Sequence, residues 1–236
     1  MTGPVLLAVA HGSRDPAAQE CVLSLTGRVA ALAGGTPVAT AFVQNAEPSL
    51  AAGLHDAATL AGADGVVVVP LLLSNGYHLS SDIAGAARAA GVPVAAPLGP
   101  HPALVGVLAD RLAGAGVPGK VPVVLAAAGS RDPRALADTR RQAAMLAAHR
   151  RAPVVAAFAS AARPAVDEAV SFLASLTGQP VAVAAYLLAP GLFHDRLQLS
   201  AGRWVSAPIG DHPAVAELVL DSFRTAAGLD VAPAAA

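Results

Sequence analysis

Cysteine occurs once in the 236 residues, at Cys21. A single thiol excludes an internal disulfide and a zinc site built from several cysteines. It falls within PAAQECVLSL, a helical pattern with apolar neighbours, and reads as a buried, inert thiol. Lysine also occurs once, at Lys120, ahead of a strand-like run. No Gly-rich phosphate fingerprint or P-loop lysine is therefore present, which argues against a nucleotide or flavin site. Charged residues make up only 13% of the chain and the formal net charge is −1, leaving no basic footprint for nucleic acid. The slight acidic excess of the first half and basic excess of the second read as ordinary surface scatter. Residues 89–109 carry no Asp, Glu, Lys or Arg, long enough to raise the question of a membrane span. Four prolines (Pro93, Pro97, Pro100, Pro102) interrupt that run, so it reads as strand, loop and helix start. The opening MTGPVLLAVAHGS lacks a basic n-region, so no signal peptide is expected and a cytoplasmic location is.

What the chain does have is 55% hydrophobic residues, 22 Gly and 19 Pro, arranged twice over. AVAHGSRDP at 8–16 returns as LAAAGSRDP at 125–133. AEPSLAAGL (46–54) corresponds to ARPAVDEAV (162–170), and VVVVPLLLSNGYH (66–78) to VAVAAYLLAPGLFH (181–194). AAPLGPHPALVGVL (95–108) corresponds to SAPIGDHPAVAELV (206–219). Four landmarks in one order define a duplicated domain, too short a series for a solenoid. The halves are placed at 1–117 and 118–236, joined near the Gly- and Pro-rich GAGVPGK.

Within the first half, apolar runs at 5–10, 37–43, 65–73 and 92–96 read as strands. Helical patterns fill the gaps at about 16–33, 47–62, 79–90 and 101–115. Continuous apolar strands separated by helices predict a parallel sheet covered on both faces. The expected fold is α/β: two tandem doubly wound, flavodoxin-like parallel-sheet domains with a cleft between them.

The repeated GSRDP has structural work to do. Gly12 permits a tight strand-to-helix turn, Asp15 can cap the following helix, and Pro16 suits its first turn. His11 is not needed for any of this, because Ala128 serves in the copy. Doubly wound sheets bind ligands at the carboxyl ends of their strands. In a 2-1-3-4 strand order, His11 after strand one, Glu47 after strand two and His78 after strand three share one rim. Two imidazoles and a carboxylate suit a first-row divalent metal, and histidine also moves protons near neutral pH. Each residue alone is equally well a polar loop residue. The second half has Ala128 for His11, Arg163 for Glu47, and Phe193 or His194 for His78, so the triad is not duplicated. His101 and His212 share a Gly-X-His-Pro setting that reads as a structural turn.

AHGSRDP, AEPSL and PLLLSNGYH followed by SSDI resemble the sirohydrochlorin chelatase family, the class II chelatases of siroheme and cobalamin synthesis. The resemblance extends through LLAPGLFHDRL and APIGDHP in the second half, as in the two-repeat bacterial form. It implies insertion of Fe²⁺, or alternatively Co²⁺, into sirohydrochlorin without an organic cofactor, with Ni²⁺ ranked lower. It also implies that His11, Glu47 and His78 hold the metal and that His11 and His78 are catalytic. Because sirohydrochlorin carries many carboxylates, Arg14 and Arg131 become candidates to bind it, with Ser13 and Ser130 near helix N-termini. The loop Ser74, Asn75, Gly76 and Tyr77 would face the macrocycle, Tyr77 by stacking. A carrier of metal or tetrapyrrole without catalysis would use the same triad. No nucleic acid or membrane partner is expected, and fusion of the repeats in one chain suits a working monomer.

Overall fold

Val5–Ala10 is buried at every residue and forms β1, the middle strand of the first sheet. A strand wholly out of water on both faces accounts for its unbroken apolar composition. The structure, a computed structural model, describes residues 3–62, 65–76 and 79–229. β2 (Val38–Phe42) and β3 (Val66–Pro70) lie parallel on either side of β1, with Ala8 level with Thr40 and with Val69. α1 (Pro16–Leu32) and α2 (Leu50–Ala61) make the crossovers. A turn of π-helix, Leu79–Ile83, runs into α3 (Ala84–Ala90). Val5, Leu7 and Val9 pack with Ala41, Leu54, Val68 and Ile83 on one face of the sheet.

The expected fourth strand at 92–96 is a single bridge between Val94 and Val68. Pro93 and Pro97 flank it, and a residue without an N–H cannot extend a ladder. What remains is Val68 N–H donating to Pro93 O at 2.9 Å and Ala95 N–H donating to Val68 O at 2.8 Å.

After α4 (Ala103–Gly114) the pattern repeats. β4 (Val123–Ala127) lies between β5 (Val154–Phe158) and β6 (Ala182–Tyr186), with the short β7 (Trp204–Val205) beyond β6. Its helices are α5 (Pro133–Arg150), α6 (Val166–Thr177), α7 (Leu192–Gln198) and α8 (Pro213–Ala226). Both sheets are parallel and both run second strand, first strand, third strand, which is the flavodoxin-like order the sequence predicts.

The two compact units are not continuous in sequence. Among the described residues, the first takes the chain up to Leu72, the stretch from 79 to Leu98, and the chain from Pro213 on. The second takes Leu73–Gly76 and Gly99–His212. Accordingly α8 packs on α1 and β3, and α4 packs on α5 and β6.

Candidate functional site

The turn leaving β1 is fixed by backbone geometry. Gly12 has φ +91°, and a Cβ there would run into the carbonyl of Gln44. Ser13 Oγ accepts from Asp15 N–H at 3.1 Å, and Asp15 Oδ1 accepts from Ala17 N–H at 2.9 Å, capping α1. The copy is the same turn. Gly129 has φ +99° and faces the carbonyl of Ser160, Ser130 Oγ accepts from Asp132 N–H at 3.0 Å, and Asp132 Oδ1 accepts from Arg134 N–H at 2.9 Å. The Arg134 guanidinium also binds Asp132 and holds its carboxyl below the usual range. Ser13 and Ser130 thus have identical turn-forming contacts, while Arg14 and Arg131 extend into solvent beside them.

The exit from β2 is tied to the same corner. Val43 N–H donates to Ala10 O and Gln44 N–H to His11 O, each at 3.0 Å. In the copy, Ala159 N–H donates to Ala127 O and Ser160 N–H to Ala128 O, each at 2.9 Å. The backbone is conserved between the halves down to the left-handed residues Asn45 (φ 59°) and Ala161 (φ 58°). The side chains are not. Gln44 Nε2 lies 2.9 Å from His11 Nε2, whereas Ser160 Oγ donates to Ala128 O at 2.9 Å. His11 is half-buried and Gln44 is exposed.

Glu47, also exposed, accepts through Oε2 from Ser49 N–H at 2.7 Å, at the start of α2. Arg163 takes this place in the copy. There Glu168 accepts from Ala165 N–H at 2.8 Å and forms an ion pair with Arg163. One carboxylate satisfies the helix start in each half, from different positions. A cavity of about 410 Å³ opens at this second corner, lined by Phe158, Ser160 and Arg163 among others.

The loop after β3 is anchored within the second unit. Tyr186 Oη donates to Leu73 O at 2.8 Å, and Asp138 Oδ2 accepts from Asn75 N–H at 2.9 Å. Burial, reinforced by the Asp138 charge, pushes the Tyr186 phenol up, so it stays a donor. Gly76 N–H closes a tight turn on Ser74 O at 3.0 Å. Tyr77 and His78 lie outside the described residues. His194, the alternative counterpart of His78, sits 3.1 Å from Ser206 O and 3.2 Å from Gln198 Nε2. Among the described residues no three His, Cys, Asp or Glu side chains gather as a metal-binding group. None of their helices is long and apolar enough to cross a membrane. Cys21 is half-buried on α1 rather than fully enclosed.

Sequence reading missed Gln44. The signal was there: Gln44 and Ser160 occupy one register of the repeat, and they differ where His11 differs from Ala128 and Glu47 from Arg163. A glutamine in a loop has no periodicity to draw attention to it.

Fold and site together define a duplicated parallel-sheet α/β protein with His11, Gln44 and Glu47 at the strand ends of one repeat and Ala128, Ser160 and Arg163 at those of the other. The chain belongs to the CbiX family, whose model matches residues 5–115 and again 122–226. It is similar to a sirohydrochlorin ferrochelatase of Bacillus subtilis (strain 168), 30% identical over 94% of this chain and 91% of the relative. Two solved structures are similar across 96% of both chains. One, at 27% identity and TM-score 0.80, is SirB from Bacillus subtilis with Fe³⁺. The other, at 26% identity and TM-score 0.78, is the sirohydrochlorin chelatase SirB from Bacillus subtilis subspecies spizizenii in complex with cobalt.

Proposed function

We propose that this chain inserts a divalent metal ion, Fe²⁺ ahead of Co²⁺, into sirohydrochlorin. The observation that carries the reading is the histidine placed by a duplicated turn. His11 stands half-buried at the carboxyl end of the central strand β1, and the copy keeps the turn without it. Family membership and a ferrochelatase relative along nearly the whole length support the same chemistry.

Insertion makes three demands. The ion must lose water, the ring nitrogens must meet it, and two pyrrole N–H protons must leave. A neutral imidazole at His11 supplies a lone pair to the incoming ion, with His78 and Glu47 as its partners by motif. A histidine or the Glu47 carboxylate then accepts protons as the pyrroles give them up. Arg14 and Arg131, exposed beside equivalent turns, are suited to carboxylates of the macrocycle, and so are donors of the 74–77 loop. No organic cofactor enters, and the metal is a substrate. Imidazole and carboxylate ligands do not by themselves separate Fe²⁺ from Co²⁺.

Anaerobic insertion assays with sirohydrochlorin and Fe²⁺, Co²⁺ or Ni²⁺, followed by the absorbance of the macrocycle, test this directly. Turnover with Fe²⁺ fastest is the expected result, and stoichiometric product at best would mark a carrier instead. The variant His11→Ala should lose at least about 100-fold in rate, the scale of a catalytic base or ligand. Its unfolding midpoint should stay close to that of the parent, because Ala128 already occupies the matching turn. An active or unfolded variant would refute the division between turn and chemistry.

A further inference from the structure

Gln44 and His11 meet twice, once through the backbone and once through the side chains. The backbone contact, Gln44 N–H to His11 O at 3.0 Å, recurs in the copy between Ser160 and Ala128 at 2.9 Å. The side-chain contact, Gln44 Nε2 to His11 Nε2 at 2.9 Å, does not recur, because both residues are replaced. The Ser160 hydroxyl turns to the Ala128 carbonyl instead. The carboxamide is therefore dispensable for the corner itself and is present where the imidazole is.

An imidazole nitrogen offers one lone pair. If the Gln44 NH₂ donates to it, a cation reaches Nε2 only by displacing the amide. If the carboxamide is turned so that its oxygen accepts from Nε2–H, the ring must change tautomer and the amide must still leave. Either orientation makes carboxamide and cation competitors for one nitrogen. The exchange is open to the solvent side, because Gln44 is exposed and water can satisfy a displaced amide. A carboxylate holding a metal-bound histidine makes it a better ligand. The Nδ1 of His11 is buried, which leaves Nε2 as the nitrogen an incoming ion would reach, and a neutral carboxamide on that nitrogen does the reverse.

We propose that Gln44 is a positioning residue that holds the metal-free His11 ring by Nε2 and weakens its hold on the incoming ion, so that the ion passes on to the macrocycle. This rests on the reading of His11 as a metal-holding residue. A chelatase must bind its ion without retaining it, and a competing neutral hydrogen bond supplies that balance without adding charge.

The test is Co²⁺ binding without tetrapyrrole, by titration of the parent, Gln44→Ala, Gln44→Met, His11→Ala and the double variant His11→Ala/Gln44→Ala. Loss of one net hydrogen bond predicts Co²⁺ binding about 3–10-fold tighter in both Gln44 variants. That difference should vanish when His11 is also replaced. In insertion assays the apparent KM for Co²⁺ should fall while kcat does not rise. A merely structural glutamine would give weaker or unchanged binding, and a glutamine that ligates the ion would give weaker binding; both outcomes overturn the proposal. So does parent-like behaviour of Gln44→Met, which would assign the effect to filled space. If His11→Ala loses Co²⁺ affinity but the Gln44 variants do not gain it, the competition fails and the site stands. If His11→Ala binds Co²⁺ as the parent does, the site reading fails and takes the competition with it.

Discussion

Gly12 and Gly129 show what the duplicated turn demands of single residues. Their φ angles are +91° and +99°, and each leaves no room for a Cβ beneath a carbonyl from the neighbouring strand exit. The cost of replacing them is steric and conformational together. Gly129→Ala should destabilise the protein by at least ~2 kcal/mol, seen as a drop of several degrees in the unfolding midpoint. Because this turn carries Ala128 where the other has His11, any remaining folded protein should bind Co²⁺ without tetrapyrrole as the parent does. A Gly129→Ala protein as stable as the parent would show that the turn tolerates the side chain. The sequence made this much legible, since five identical residues directly after one changed position separate turn from chemistry. It did not reveal Gln44, whose importance comes from a 2.9 Å approach across 33 residues. Nor did it reveal that Glu47 is already engaged with Ser49 N–H.

At the scale of elements, the parallel strands were readable because burial on both faces demands unbroken apolar runs. Val92–Ala96 looked like another such run, but Pro93 and Pro97 reduce it to one bridge. The anchoring of the β3 exit was not readable at all. Asp138 and Tyr186 reach this loop across 63 and 113 residues, and no sequence pattern pairs either of them with it. Their contacts fix Leu73 and Asn75, shortly before His78 in the chain. Asp138→Ala frees the Asn75 amide to water, so its thermodynamic effect should stay below about 1.5 kcal/mol. Such a change leaves the protein folded, yet insertion should fall about 10-fold, because misplacing a reacting group by little costs much. Asp138→Asn keeps an acceptor for Asn75 N–H and should recover most of the rate. Comparing insertion rates with unfolding midpoints for the two variants checks this. Equal losses in both would indicate general destabilisation rather than placement of the loop.

For the whole molecule, the repeat in sequence and the compact units in space divide the chain differently. The family match runs 5–115 and 122–226, yet α4 belongs to the second unit and α8 to the first. The two Gly-X-His-Pro segments lie where the chain changes unit, close to Gly99 and to Pro213. His101 N–H donates to the Gln142 side chain at 2.8 Å, and His212 Nε2 lies 3.2 Å from Asp110 Oδ2. Nothing in GPHPALVGVL or GDHPAVAELV tells which sheet the following helix will cover, because both are amphipathic in the same way. A chain cut between residues 117 and 118 therefore separates each unit from one of its own helices. Val215, Leu218, Val219, Leu220 and Phe223 of α8 are buried, so the first fragment loses burial worth of order 10 kcal/mol. That is comparable with the whole stability of a domain, typically about 5–15 kcal/mol. Residues 1–117 alone should fail to give a cooperative unfolding transition and should aggregate. Co-expressed with 118–236, the fragment should co-purify in equal amounts and regain metal insertion. A stable, monomeric 1–117 with a sharp transition would mean that α4 can cover its own sheet when α8 is absent.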